Sequence, residues 1–163
     1  MDEAALPGEA PSAAAIRLSI NKAYAVARGR TGTLVIGSDQ VADLAGIHIG
    51  KPGSTKAARE QLHAMSGQEL VFHSGLALVN SDSGNTQSCI VATRVRYRKL
   101  TDTEIENYLA REPALDCAGS AKSEGLGIAL IATMQSDDPT ALIGLPLIAL
   151  AGMLRNEGID ILG

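Results

Sequence analysis

Thr33-Leu34-Val35-Ile36-Gly37-Ser38-Asp39-Gln40 begins as an apolar, β-branched run and ends in small and polar residues. The run Thr33 to Ile36 is bounded by glycines, the pattern of a strand buried on both faces. Gly37 to Gln40 then leaves its carboxyl end, the place where ligands gather in open α/β sheets. Asp39 is therefore the leading candidate for chemistry, since a carboxylate there can orient a water or hold a cation. Aspartate also favours turns through its own backbone bonds, and position alone does not separate the two roles.

Toward the N-terminus, Pro11 suits the first turn of a helix carrying Ile16, Ile20, Ala23 and Ala27, with Gly29 at its end. Lys22 falls four residues after Leu18 and four before Val26, so its stem lies on an apolar stripe. Toward the C-terminus, Gly46 to Gly53 reads as a turn-rich connection. Ser54 to Met65 then places Ala58, Leu62 and Met65 on one helical face. Leu70 to Val79 and Thr86 to Arg98 flank a run of turn-forming residues and predict a β-hairpin. In its second arm Thr93, Val95 and Tyr97 alternate with Arg94, Arg96 and Arg98, so one set points inward and the arginines form a solvated face. Thr101-Asp102-Thr103-Glu104 is a capping box for a helix on Ile105, Tyr108 and Leu109 that Pro113 closes. Gly127 to Ile131 predicts another buried strand, and Pro146 the start of a last helix on Leu147, Leu150 and Leu154. Strands and helices interleave, which argues for α/β or α+β layering in a single domain.

The 163 residues are 45% hydrophobic and 20% charged, the mix of a chain that folds around a core. A net charge of -4 gives no broad attraction for a phosphate polymer or an anionic membrane, which excludes polymeric nucleic acid and membrane as expected partners. Three tyrosines and one phenylalanine are too few for stacking platforms, so a bound base must be read mainly by hydrogen bonds. Cys89 and Cys117 lack metal-type spacing and suggest no disulfide framework. With an acidic start that lacks a secretory signal's basic and apolar regions, they predict a reduced, cytoplasmic setting.

Gly50-Lys51-Pro52-Gly53 can present an ammonium group to phosphate oxygens. Together with Lys22 and Asp39 it forms the minimum set for hydrolysing a phosphoanhydride with a metal ion. Lys122-Ser123-Glu124-Gly125-Leu126-Gly127 brings charge to a glycine-rich turn, where Glu124 could accept hydrogen bonds from a base; read alone, this is a solvated turn. No dinucleotide fingerprint or Walker sequence is present, and His48, His63 and His73 show no ligand spacing.

Gly37-Ser38-Asp39-Gln40, Gly50-Lys51-Pro52, Leu62-x-x-x-Ser66-Gly67, Ser74-Gly75, Leu100-x-x-x-Glu104-Ile105-x-x-Tyr108, Ala118-Gly119-Ser120, Glu124-Gly125-x-Gly127 and Ile143-Gly144-Leu145-Pro146-Leu147, in this order, resemble the Maf-like nucleoside triphosphate pyrophosphatases. The resemblance runs from about Asp2 to the C-terminus. It implies an α/β fold with a mixed sheet flanked by helices, and cleavage of a nucleoside triphosphate to monophosphate and pyrophosphate with a divalent cation, Mg or Mn. It implies Asp39 as proton acceptor, Lys22 and Lys51 facing the phosphates, and Glu3 with Asp39 at the metal. It further implies Gln40 and Glu124 as substrate-selecting residues, in a combination that resembles the branch acting on 7-methyl-GTP. A homodimer is expected from the family. Members open with a strand and a Ser-x-Ser-x-x-Arg motif, and this chain is expected to start after them, without the first strand. The alternatives are a nucleotide-binding relative without turnover, or the same chemistry on dTTP or UTP.

Overall fold

The computed structural model describes residues 6–163. Among them are four α-helices, α1 (Pro11–Ala27), α2 (Thr55–Met65), α3 (Asp102–Arg111) and α4 (Leu147–Asn156). Five strands, β1 (Leu34–Leu44), β2 (Ile47–Ile49), β3 (Glu69–Asn80), β4 (Thr86–Tyr97) and β5 (Ile131–Ser136), form one sheet in the order β2-β1-β3-β4-β5. No helix is long and apolar enough to cross a membrane among the described residues. The chain divides into two compact units. Of the described residues, the first holds 6–40, His73–Ala92 and Ser136–Gly163, and the second Val41–Phe72 and Thr93–Gln135.

In the first unit, alternation along β1 and β3 splits the side chains between two faces. Val35, Ala77 and Val79 pack with Ala23 and Ala27 of α1. Leu76 and Leu78 pack on the other side with Leu150 and Met153 of α4. The buried stripe of α1 is made of small residues, Ala14, Ala15, Ser19, Ala23 and Ala27, with Leu18. They are small because the helix lies directly on the glycines of the strands. A methyl group at Gly37 would stand 2.1 Å from the Ser19 carbonyl oxygen and 2.7 Å from the Ala23 nitrogen. One at Gly75 would stand 2.4 Å from Ser19 Oγ and 2.5 Å from the Ala15 carbonyl oxygen. The buried Ser19 hydroxyl is satisfied within the helix, donating to the Ala15 carbonyl at 2.7 Å.

In the second unit, Ala58, Leu62 and Met65 of α2 and Ile105, Tyr108 and Leu109 of α3 are buried as their periodicity predicts. Ser54 caps α2 and the predicted capping box of Thr101 and Glu104 starts α3. The backbone amide of Thr101 and the guanidinium of Arg98 hold the Glu104 carboxyl down at about 2. Thr93, Val95 and Tyr97 are buried, while Arg94 and Arg96 reach Glu69 and Arg98 reaches Glu104, so the arginine row is a solvated, ion-paired face.

Three expectations need correction. β1 does not end at Ile36 but continues through Asp39 to Leu44, and Ile36 is 44% exposed, so the strand is not buried on both faces. β1 lies next to β3 in the sheet and is paired by β2 at Ala42 to Leu44, so residues that read as turn formers are carried within a longer strand. Gly46 to Gly53 is not all connection. Ala45 and Gly46, at φ 52° and 87°, turn the chain so that β2 pairs antiparallel with β1 through Ala42–Ile49 and Leu44–Ile47. Gly127 to Ile131 is not a buried strand either: Leu126–Leu130 forms a 3-10 turn, and β5 follows as a mostly exposed edge strand.

The two glycines under α1 generate a test. Gly37→Ala and Gly75→Ala should each cost about 3 kcal/mol in urea denaturation, since backbone stands where the methyl group must go. Gly152→Ala in α4, where the nearest atom is the far end of Arg155 at 3.8 Å, should be neutral or stabilise by about 0.5–1 kcal/mol.

Candidate active site

Close packing of α1 on Gly37 sets the first contact of the site. Asp39 lies two residues further along β1 and on the same face, and Lys22 precedes Ala23 on the helix that covers that face. The Lys22 ammonium donates to Asp39 Oδ1 at 2.5 Å. The two side chains are 33% and 13% exposed, so the pair sits at the rim of the unit, partly shielded from water. A carboxylate held this way is oriented and charge-compensated while still reachable, which suits a group that takes a proton from water. Asp39 therefore occupies the middle of a strand, and the helix packed above it, rather than a strand end, makes it a site.

Gln40, the next residue, points to the opposite face. Its amide nitrogen donates to Ser74 Oγ at 2.9 Å and to the carbonyls of Ala141 and Leu142 at 3.0 and 3.1 Å. Ser74, fully buried on β3, donates in turn to the Ala141 carbonyl at 2.7 Å. Ser38 Oγ shares its proton between the Gly75 and Gly144 carbonyls, at 2.8 and 2.7 Å. Three polar side chains thus tether the 3-10 turn Ala141–Ile143 and the following Gly144 to the sheet.

Behind that turn, Asp138 is 2% exposed. Pro146 at the start of α4 offers no side-chain acceptor, and the first amides of the helix turn to Asp138 and Thr140 instead. Ile148 donates its N–H to Asp138 Oδ2 at 2.7 Å and Leu147 donates to Thr140 Oγ1 at 2.9 Å. Burial by itself pushes the Asp138 carboxyl up. The Thr140 hydroxyl and amide and the amides of Ile148 and Ala149 outweigh it and hold the group below its ordinary value.

Lys51 and Glu124 belong to the second unit. Lys51 is exposed, on a loop whose backbone is held on both sides: Gln61 donates to the Gly50 carbonyl at 3.0 Å, and Gly53 donates to the Leu115 carbonyl at 3.0 Å. Glu124 is exposed on the turn Lys122 to Gly127. Glu112 supports that turn from below, accepting the Gly127 N–H at 3.1 Å and lying where a methyl group at Gly125 would stand, 2.2 Å from its Oε1. Gly127 is equally confined, 2.5 Å from the Lys122 carbonyl oxygen on the same measure. Glu3 falls outside the described residues, and no cluster of three His, Cys, Asp or Glu side chains forms a metal site among the described ones.

The structure thus brings Lys22 and Asp39 together and separates Gln40 from Asp39 across the sheet. Ser38, Ser74, Asp138 and Glu112 were not foreseen as supports. The Ala15, Ser19, Ala23 spacing, one small residue per turn, is the sequence signal that could have shown a helix lying close on glycines.

The family model of the Maf-like protein matches residues 1–157. The chain belongs to the Maf-like family. Among curated relatives of this Maf-like chain, a 7-methyl-GTP pyrophosphatase of Burkholderia thailandensis is 58% identical over 161 residues, covering 97% of this chain and 75% of its own length. A protein of the same name from Cupriavidus pinatubonensis is 56% identical, covering 97% of this chain and 79% of itself. Another from Thiobacillus denitrificans is 55% identical, covering 99% and 81%. The resemblance on short ordered motifs is thereby confirmed as Maf-like membership, and so is the expected mixture of helices around a sheet.

The Asp138 carboxyl sets a pH dependence. Because its folded value is depressed, its contribution to stability is present above its unfolded value of about 4 and lost as pH falls through the folded one. Asp138→Asn should cost about 1–3 kcal/mol at pH 7, and the gap from the unmodified protein should narrow in urea titrations at about pH 3.

Proposed function

We propose that this chain hydrolyses 7-methyl-GTP to 7-methyl-GMP and pyrophosphate. The observation that carries the reading is the Lys22–Asp39 pair, fixed by helix packing in a chain 55–58% identical to three proteins named 7-methyl-GTP pyrophosphatase. Asp39 takes a proton from the attacking water, whose oxygen joins phosphorus as the α–β phosphoanhydride opens. Lys22 keeps the carboxylate aimed. Lys51 supplies fixed positive charge for the phosphates and the departing pyrophosphate. Glu124 accepts hydrogen bonds from the Watson-Crick edge of the methylated guanine, whose positive imidazolium part favours a carboxylate. With one phenylalanine and three tyrosines in the chain, charge and hydrogen bonding suit this base better than stacking.

A divalent cation, Mg or Mn, fits the donor chemistry: such ions are held by one or two carboxylates together with substrate phosphates, and Asp39 with Glu3 would be the protein's share. When bound it would neutralise phosphate charge. The same reading puts the protein in the cytoplasm as a homodimer acting on a free nucleotide.

The test is pyrophosphate release in the presence of Mg from 7-methyl-GTP, GTP, dTTP and UTP. The expected result is preferential turnover of 7-methyl-GTP and a loss of about a hundredfold or more in kcat for Asp39→Asn, with nucleotide binding by titration calorimetry retained. Binding without release in the unmodified protein would replace this reading with a binding protein, and preference for dTTP or UTP would overturn the substrate.

A further inference from the structure

We propose that Gln40 is a positioning residue, which governs substrate choice through residues 141–144 rather than by touching the nucleotide. The inference rests on the function proposed above and concerns how one of its selecting residues works. Its first support is geometric. Consecutive side chains of a strand point to opposite faces, so the Gln40 amide leaves the sheet on the side away from Asp39 and Lys22.

The second support is the hydrogen-bond inventory. The two carbonyl oxygens of Ala141 and Leu142 can only accept, so the group facing them must be the amide NH2 and not its oxygen. Ser74 spends its one proton on the Ala141 carbonyl and so receives Gln40 through its oxygen. Both Gln40 protons are thereby committed to three acceptors inside the unit. Donating to a base would break contacts with a fully buried serine and a backbone turn, which is costly where no water can replace them.

The third support is what the tethers hold. Residues 141–144 form one 3-10 turn that ends at Gly144 with φ 124°, a conformation that needs glycine, and Ile143 stands 64% exposed upon it. Within the turn, Ile143 donates to the Thr140 carbonyl and Gly144 to the Ala141 carbonyl at 3.1 and 3.0 Å. Gln40, Ser38 and Ser74 pin the carbonyls of the same residues to the sheet. Changing residue 40 therefore changes the shape and stiffness of the turn before it changes anything else.

The experiment compares the unmodified chain, Gln40→Met, Ser74→Ala and the double variant in two measurements. One is kcat and KM for pyrophosphate release from 7-methyl-GTP and UTP; the other is amide hydrogen exchange. Each single variant should lower the preference for 7-methyl-GTP by about tenfold, the scale of one lost buried hydrogen bond. In Ser74→Ala the change should lie in KM with kcat held. The double variant should add little, as partners in one network do. The amides of Ile143 and Gly144 should exchange faster in every variant, with protection elsewhere unchanged. Loss of preference in Gln40→Met alone, with exchange at Ile143 and Gly144 as in the unmodified chain, would establish direct contact and overturn the inference. An unmodified chain that releases pyrophosphate from neither nucleotide would defeat the functional reading. Exchange, which needs no turnover, would still decide whether Gln40 restrains the turn, and unchanged exchange would overturn that too.

Discussion

The closeness of α1 to the sheet governs the first unit. Helix and strands can approach this nearly only where no side chain intervenes, and Gly37 and Gly75 provide the space that Ala15, Ser19 and Ala23 fill. Because a helix so close cannot slide without striking backbone, the direction in which Lys22 leaves it is settled as well. The ion pair with Asp39 follows from that packing. Two charges at the rim of a fold gain little from each other when they must be ordered for the purpose. Here the ordering is done by apolar and backbone contacts, and the pair is placed as a by-product.

The opposite face of the same strands obeys a different logic. Ser38, Gln40 and Ser74 put hydroxyl and amide groups where apolar residues would otherwise pack, and each finds a carbonyl of residues 141–144. Buried polar groups of this kind are expensive unless satisfied, and when satisfied they fix one arrangement of a turn with no regular pairing of its own. Asp138 and Thr140 extend the arrangement by receiving the first amides of α4, which Pro146 cannot serve. One strand thus carries an ion pair on one side and a scaffold for a turn on the other. Neighbouring residues 39 and 40 have unlike surroundings for that reason.

In the second unit the same economy of glycine recurs. Gly125 and Gly127 let the turn bearing Glu124 close over the Glu112 carboxylate, which accepts a backbone amide from it. The exposed carboxylate of Glu124 is displayed by a turn that another carboxylate supports.

Periodicity alone determined α2, α3, the β3–β4 hairpin, the inward Thr93, Val95 and Tyr97, and the capping box, because each depends on residues near one another in the chain. The ordered motifs likewise determined Maf-like membership, and residue types marked Lys22 and Asp39 before any contact was visible. The length of β1 was not legible, since Gly37, Ser38 and Asp39 read as a turn until the sheet takes them up between β3 and the β2 pairing at Ala42 to Leu44. Nor was β2, whose Ala45-Gly46 turn is fixed by pairing rather than by a typical turn dipeptide. Only tertiary structure decided that Lys22 meets Asp39 and that Gln40 turns away from it, because both depend on which face of a strand a distant helix or turn comes to cover.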